Sequence, residues 1–422
     1  MGSQEFNFNA MFEDPSHGQF GCVLFDFKED GDGKSSPAIG AGWASLAGAK
    51  AQRIKDAADL SKSAVWLTNI KRQEFWRGGG LRLPHLRESS YLQTNLGQIM
   101  RETGIVTKRV TTAGACEQTS EIFARTMSLA MAHYDVDKLT ELQWIDEARP
   151  RLAPMDLPLG MQIDEALQRS FLEFVGCSTP RVEGGRLAIL RRPRLAHAKA
   201  ILEAAIPQGS WEFIGPGQMP DEHARFDWLW QMQRPALVKV AIKGFGDRCP
   251  AHIPQLLQMG EVWVAKGPKK ERTWMTLQEA RYFARYVKLE IQCAFVAEGW
   301  AVFPGAKKIL EMGEMSNFSI SLGLLAEAHW TSLASRSRNP QNKKVLVSPR
   351  AAWFGATDRF LCFASASSLA AQGFAVISYG RGEVSVSARP EDMRRLAIAA
   401  SECGLSAPAV LFDEPSHDKE AS

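Results

Sequence analysis

The sequence YGRGEVS at 379–385 places one arginine and one carboxylate in a short Gly-rich turn between two runs rich in apolar residues. This pattern predicts two short strands joined by a tight turn. Phosphoryl transfer by two metal ions requires several carboxylates around one pocket. Here Glu383 is the single acid of the turn, and Arg381 would repel a divalent cation. The sequence therefore predicts that this turn holds no metal ion.

Segments of helical and strand-like periodicity alternate irregularly along the chain, which predicts an α+β fold. Besides the turn, the predicted strands are 22–27 paired with 39–46, 235–246, 260–267 and 288–299. The predicted helices are one or two within 117–148, one at 276–287, a long helical region at about 305–338, and one at 389–404 with Gly404 as its C-cap.

The chain of 422 residues, 45% of them hydrophobic, is long enough for two or three domains with ordinary cores. The segment ARPRLAPMDLPLG at 148–160 holds three prolines and is the best candidate linker. We expect a first domain over 1–150, a second over 151–410 and a polar tail over 411–422.

Composition and cysteine spacing exclude several classes of protein. The seven cysteines form no CxxC pair, and Cys249 with His252 lacks a second ligand pair, so neither a disulfide framework nor a zinc site is predicted. No apolar run reaches the roughly 18 residues of a spanning helix. We expect a soluble cytoplasmic protein with buried free thiols and no membrane partner. The formal net charge of +3 does not by itself indicate nucleic acid.

A weak pattern spread along the chain resembles the exonuclease motifs of family-B DNA polymerases. LFDFKE at 24–29 resembles the first motif, in which an Asp and a Glu two residues on bind a metal ion. Asp26 and Glu29 stand one residue further apart than that spacing. LTNIK at 67–71 resembles the second motif of the protein-primed members, with Gln73 in the place of its Asp.

The resemblance continues toward the polymerase region. YDVDKL at 134–139 is similar to the third exonuclease motif, with Asp135 as the matching acid. EGGR at 183–186 resembles the Tyr-x-Gly-Gly junction, which contacts template in that family. His197 stands where the family places the metal-binding Asp at the end of a palm strand.

The turn at 379–385 resembles the Tyr-x-Asp-Thr-Asp-Ser hairpin that carries the second palm acid, with Arg381 in place of the first Asp. The resemblance implies an RNase H-like exonuclease-type domain followed by a palm-like domain with a helical fingers-like insertion. It implies a vestigial palm site formed by His197, Tyr379, Arg381 and Glu383. With arginine and histidine in the metal-binding places, we expect no cofactor and no polymerase activity.

Basic residues in three stretches suit a phosphate backbone. We therefore expect DNA or RNA as a partner, without sequence preference, and other replication proteins of a phage or mobile element as further candidates. The predicted nucleic-acid-binding residues are Gly184, Gly185, Arg186, Arg191, Arg192, Arg194, Lys307, Lys308, Arg336, Arg338, Lys343 and Lys344. Solvated loop charges are the simpler explanation for any single stretch.

Two alternatives of other classes stay open. One is an active magnesium-dependent nucleotidyltransferase or nuclease, whose candidate catalytic acids are Asp26, Glu29, Asp135, Asp227 and Glu383. The other is a protein-interaction module unrelated to polymerases. The positions of Asp26, His197 and Glu383 in the fold distinguish these hypotheses, and clustering of His197 with Arg381 across a sheet would support the resemblance.

Overall fold

The computed structural model describes residues 20–29, 35–69, 86–87, 113–134, 160–170, 175–177, 179–220, 225–247, 272–302, 319–334, 337–338 and 345–406. Contacts divide these residues into two compact units. Unit 1 contains the described residues of 20–134 together with 319–325, and unit 2 contains those of 160–302 and 326–406.

Unit 1 is built on a five-stranded mixed sheet. Its elements are β1 (Phe20–Glu29), β2 (Ser35–Leu46), β3 (Gln52–Ile54), β4 (Val65–Thr68), β5 (Leu86–Arg87) and the helix α1 (Ala113–Tyr134). The strand order is β3-β2-β1-β4-β5, with β1 antiparallel to β2 and parallel to β4. The predicted pairing of 22–27 with 39–46 is confirmed, and Cys22 lies opposite Ser45.

Residues 20–25 of β1 are buried on both faces of the sheet, because successive side chains alternate between two apolar layers. Val23 and Phe25 belong to one core cluster. On the other side, the Cys116 thiol of α1 donates to the carbonyl oxygen of Cys22 at 3.1 Å, and Phe123 packs edge-on against Phe20. The predicted buried free thiols are confirmed at these two cysteines.

Unit 2 holds most of the described secondary structure. Its elements in chain order are α2 (Met161–Ser170), β6 (Val175–Gly176), β7 (Arg186–Arg191), α3 (Arg194–Leu202), β8 (Ile206–Ile214), α4 (Arg225–Gln231), β9 (Ala236–Phe245), β10 (Arg272–Thr276), α5 (Leu277–Phe283), β11 (Val287–Ala301), α6 (Ser319–Leu333), β12 (Ser337–Arg338), β13 (Val345–Leu346), α7 (Pro349–Ala371), β14 (Ala375–Gly380), β15 (Glu383–Ala388) and α8 (Met393–Glu402). Helix α6 begins in unit 1 and ends in unit 2.

Two antiparallel four-stranded sheets organise unit 2. One has the strand order β10-β9-β11-β8 and the other the order β6-β14-β15-β7. Residues of both sheets and of helices α5, α7 and α8 share one apolar core, which includes Val238, Val296, Phe363, Val384 and Leu396. The two sheets are therefore held by a common interior, and the turn between β14 and β15 is carried on that rigid base.

The described elements confirm several predictions from the sequence. Strands β9 and β11 and helix α5 fall on the predicted segments, and so do the two strands of the hairpin. Gly404 follows α8 with φ +67°, and the Leu405 N–H donates to the Ala400 oxygen at 2.8 Å, which is the C-cap that the sequence predicts. The predicted linker at 148–160 and the strand at 260–267 lie outside the described residues, apart from Gly160.

Helix α7 was not predicted. It is 23 residues long and buried on most of its circumference, so it lacks the single apolar stripe by which a surface helix is recognised. Arg359 near its middle is 1% exposed and forms an ion pair with Glu279 of α5 at 2.7 Å. Glu279 also accepts from the Thr276 hydroxyl at 2.9 Å, so this buried pair joins α7 to the start of α5.

The architecture as a whole confirms the prediction of a mixed α+β protein. None of the described helices combines the length and the apolar character that a membrane span requires.

Candidate functional site

The turn between β14 and β15 has two consecutive residues in the left-handed region. Gly380 pairs with Glu383, while Arg381 and Gly382 between them have φ values of 51° and 72°. This is the backbone of a type I′ hairpin turn, whose twist matches that of the strands. Gly382 also has a steric reason, since a Cβ there would lie 3.0 Å from Cδ2 of His197. An arginine with positive φ is uncommon, so the turn needs support from elsewhere.

Asp358 of α7 supplies that support. Its Oδ2 accepts the backbone N–H of Arg381 at 2.6 Å, and its Oδ1 accepts that of Gly382 at 2.8 Å. The same Oδ1 lies 2.7 Å from Nε2 of His197. One carboxylate on a helix thus binds the turn through two amides and a second helix through an imidazole.

His197 lies within helix α3. Its comparison with the palm Asp would instead require a position at the end of a strand. The residue is 4% exposed, and Trp330 packs edge-on against its ring. Its Nδ1 is buried and has no hydrogen-bond partner among the described residues. We assign the ring proton to Nε2, where it is donated to Asp358, because a carboxylate is an acceptor.

His197 lies beside the turn, next to Gly382, and shares the Asp358 carboxylate with it. The Arg192 N–H donates to the Gly382 oxygen at 2.9 Å, which ties the end of β7 to the same turn. The charge that meets His197 is nevertheless not that of Arg381. It is the carboxylate of Asp358, which the sequence analysis missed.

Cys362, one helical turn after Asp358, completes a group of three side chains. Its Sγ lies 3.7 Å from Asp358 Oδ1, and the ligand atoms of Cys362, Asp358 and His197 all lie within 4.8 Å of one another. Burial, followed by the charge of Asp358, raises the pKa of the Cys362 thiol well above its usual value. The thiol is therefore protonated at neutral pH and donates to the carboxylate.

Magnesium does not fit this group. Mg²⁺ is bound by carboxylates, phosphates and water in an octahedron of oxygens, whereas one nitrogen, one sulfur and a single carboxylate meet here. The Asp358 oxygens already accept from two amides and the imidazole. Within the described part of the chain, no other group of three such side chains meets at a comparable distance.

Three arginines predicted to bind nucleic acid are engaged within the protein. Arg191 forms an ion pair with Glu383, the neighbour opposite it in the sheet. Arg192 donates to the Ser365 hydroxyl at 3.1 Å and to the Leu361 oxygen at 3.3 Å. Arg194 is 8% exposed and paired with Glu327.

That the stretch 191–194 binds nucleic acid stays a prediction, and these contacts set a cost on it. A phosphate could reach these guanidinium groups only by displacing internal partners, at a cost that a solvated arginine would not incur. The spacing of these arginines suggested a basic surface. In the structure their contacts connect β7 and α3 to α6, α7 and β15.

Gly184, Gly185 and Arg186 lie in and after a tight loop that leads into β7. Gly184 has φ +69°, and a Cβ at Gly185 would lie 2.8 Å from the Val182 oxygen and 2.9 Å from the Ser387 hydroxyl. The backbone conformation at Gly184 and the lack of space at Gly185 therefore explain why each position is a glycine. Arg186 and the preceding Arg181 are exposed, unlike the arginines at the other end of the strand.

Tyr379 and the candidate acids of the alternative hypothesis have separate surroundings. Tyr379 is fully buried against Phe363, and burial raises the pKa of its hydroxyl well above the usual value. Asp26, in unit 1, forms an ion pair with Arg53. Asp227 is exposed on α4. Among the described residues, the group of three potential metal ligands is His197, Asp358 and Cys362, and neither Asp227 nor Glu383 belongs to it.

The remaining predicted site residues lie outside what the structure describes. For Glu29 and Arg338 only the backbone is described. The others are Asp135, Lys307, Lys308, Arg336, Lys343 and Lys344.

Comparison with known proteins finds similarity at the level of three-dimensional structure. No protein-family model and no curated protein matches the sequence. Phi29 DNA polymerase complexed with primer-template DNA is similar with a TM-score of 0.47 and 8% identity, over 87% of this chain and 80% of that one. The same polymerase complexed with single-stranded DNA gives a TM-score of 0.46 and 9% identity, over 86% and 80%.

Both of these structures are of a DNA polymerase. That this chain has lost catalytic sites stays a prediction.

Proposed function

We propose that the protein binds DNA or RNA without sequence preference and does not transfer nucleotides. The absence of nucleotide transfer is supported by the Asp358 carboxylate, whose oxygens accept from two backbone amides and lie against the His197 imidazole. Two-metal phosphoryl transfer needs carboxylate oxygens that can bind cations from an open pocket. Asp358 is 2% exposed and its acceptor positions are used internally.

Two further acids of unit 2 form ion pairs with arginines. Glu383 is paired with Arg191, and Glu327 with Arg194. Arg192 and Arg381 also belong to this region, since both contact the turn through their backbone N–H groups or form part of it. In the proposal, these arginines favour a phosphate over a metal cation.

Exposed arginines support binding of a polyanion. Arg381 at the turn and Arg186 at the opposite end of the hairpin sheet are both exposed, and Arg181 lies just before Arg186. Strand β15 between these ends has six residues, which corresponds to about 20 Å. Basic groups at both ends of a sheet suit an extended phosphate backbone better than a small ligand.

The same proposal assigns the domains. Residues 1–150 would form the exonuclease-like domain, residues 151–410 the palm- and fingers-like domain, and 411–422 a polar tail. The family comparison motivates these assignments, and catalysis by either domain is not part of the proposal.

Fluorescence anisotropy with labelled single-stranded and primer-template DNA tests binding. We expect an affinity that falls steeply with salt and changes little with sequence. The double variant Arg181→Glu, Arg186→Glu should weaken binding and reduce the salt slope by about 1 per lost phosphate contact. The double variant Lys55→Glu, Lys62→Glu, at exposed sites in unit 1, makes the same change in net charge and is the matched control. Absence of binding at low salt would refute the proposal.

A further inference from the structure

A row of aromatic rings and one guanidinium lies on the surface of unit 2, apart from the turn. We define the aromatic patch as Phe226 and Trp230 of α4, Tyr282 of α5, Phe360 of α7 and Arg285, which follows α5. Phe226 and Trp230 are one helical turn apart and 51% and 37% exposed, while Phe360 is 37% exposed. Single exposed aromatic residues are normal on a protein surface, whereas a group of them that belongs to one patch is typical of a binding site.

The rings of the patch contact one another edge-on or tilted. The rings of Phe226 and Trp230 have centroids 6.0 Å apart, and those of Tyr282 and Phe360 lie 4.5 Å apart. The Arg285 guanidinium lies 5.9 Å from the centroid of Trp230 and 5.9 Å from that of Tyr282, so it connects the two pairs. The patch is therefore continuous across α4, the end of α5 and α7.

The patch is also rigidly mounted. Arg281 donates to the Leu229 oxygen at 2.8 Å and to the Trp230 oxygen at 3.2 Å, which satisfies the carbonyl groups at the end of α4. Leu229 is 1% exposed and anchors α4 in the core. Since α4 has only seven residues, these contacts and not its own propensity hold the two exposed rings in place.

Charge near the patch favours an anionic partner. Arg285, which follows α5, and Lys288, at the start of β11, are exposed, and Asp227 is the exposed acid of α4. Arg225 of α4 is half-buried and donates to the Pro220 and Ile291 oxygens. Flat nucleobases stack on aromatic rings and on arginine, while the attached phosphates are drawn to the cations. A duplex hides its base faces, so the ligand that fits both features is a single strand.

We propose that the aromatic patch binds single-stranded nucleic acid by stacking bases on Phe226, Trp230 and Phe360, with Arg285 between the ring pairs. This assignment rests on the proposed nucleic-acid binding and adds its location and its preference for unpaired bases. It predicts that affinity for a single strand depends on the rings themselves and not only on charge.

The test is anisotropy with a labelled oligothymidylate and with a blunt duplex of the same length, supported by quenching of tryptophan fluorescence. The variant Phe226→Ala, Trp230→Ala should lose at least about fivefold in affinity for the single strand, because each stacked base contributes a factor of that order. Its affinity for the duplex should change less than twofold. Arg285→Lys, which keeps the charge but not the planar group, should show a partial loss.

A matched control is Phe213→Ala, Phe245→Ala, which removes two exposed rings, 43% and 50% exposed, from strands β8 and β9. Failure of the wild-type protein to bind any oligonucleotide would refute the proposed function. Wild-type binding that the Phe226 and Trp230 variant leaves intact would refute only the patch. Sedimentation of the wild type and of this variant detects a further outcome. If the wild type is a dimer, the variant is a monomer and both bind the oligonucleotide equally, the patch is a self-interface.

Discussion

Nε2 of His197 lies 2.7 Å from Oδ1 of Asp358, and the two side chains expose only 5% and 3% of their surface. The residues are 161 positions apart in the chain, on α3 and α7. Through the amides of Arg381 and Gly382, the same carboxylate also holds the hairpin turn. One buried carboxylate thus forms a closed hydrogen-bonded junction of two helices and a turn.

Asp358→Asn should destabilise the fold by about 2–4 kcal/mol. The substitution removes the negative charge and places an NH₂ group against one of the three groups that donate to Asp358. Urea unfolding measures the change in the free energy of unfolding. Glu391→Gln, at a position 67% exposed on the side chain, is the control and should change stability by less than about 0.5 kcal/mol. Equal stability of the two variants would show that the junction is not structural.

Arg194→Ala should destabilise the protein by about 3–5 kcal/mol, since it leaves Glu327 largely buried without the guanidinium with which it is paired. Its effect on nucleic-acid affinity, measured by anisotropy on the folded fraction, should be smaller than that of Arg181→Glu. A large loss of affinity with unchanged stability would support the prediction that the stretch 191–194 contacts phosphate.

The sequence was sufficient for the elements whose pattern is local. The hairpin follows from alternating apolar residues and two glycines, and the end of α8 follows from Gly404. Asp358 could not be assigned to the site, because its partners lie in other parts of the chain and α7 has no amphipathic stripe. One signal was available: Asp358 and Arg359 are adjacent charges in the apolar run AAWFGATDRFLCFA, and buried charges usually have partners. Likewise, the spacing of Arg191, Arg192 and Arg194 showed a basic stretch but not the acids Glu383 and Glu327 that neutralise it.

Stability should fall in alkali partly through Cys177. Burial raises the pKa of this thiol from 9.0 to about 12. In the unfolded chain the thiol therefore loses its proton at lower pH, so its contribution is complete below pH 9 and is lost as the pH rises through 12. We expect a loss of about 1 kcal/mol per pH unit from this group within the window. Urea unfolding of Cys177→Ala across the same pH range should give a shallower slope, and an unchanged slope would show that other groups are responsible.

Magnesium or manganese, with or without a nucleotide, should leave the thermal unfolding midpoint unchanged. A ligand raises the midpoint only if it binds the folded state preferentially. At the turn, the Asp358 carboxylate is bound by the Arg381 and Gly382 amides and by His197, and the Glu383 carboxylate is paired with Arg191. Differential scanning fluorimetry over a range of metal concentrations measures this, with a primer-extension assay on the same preparation. A rise in the midpoint that is lost in Glu383→Gln but kept in Glu391→Gln, together with primer extension, would require the active nucleotidyltransferase hypothesis instead. A rise without extension would show that a cation displaces the Arg191 pair from Glu383, and a nuclease assay would then decide whether the bound metal supports chemistry.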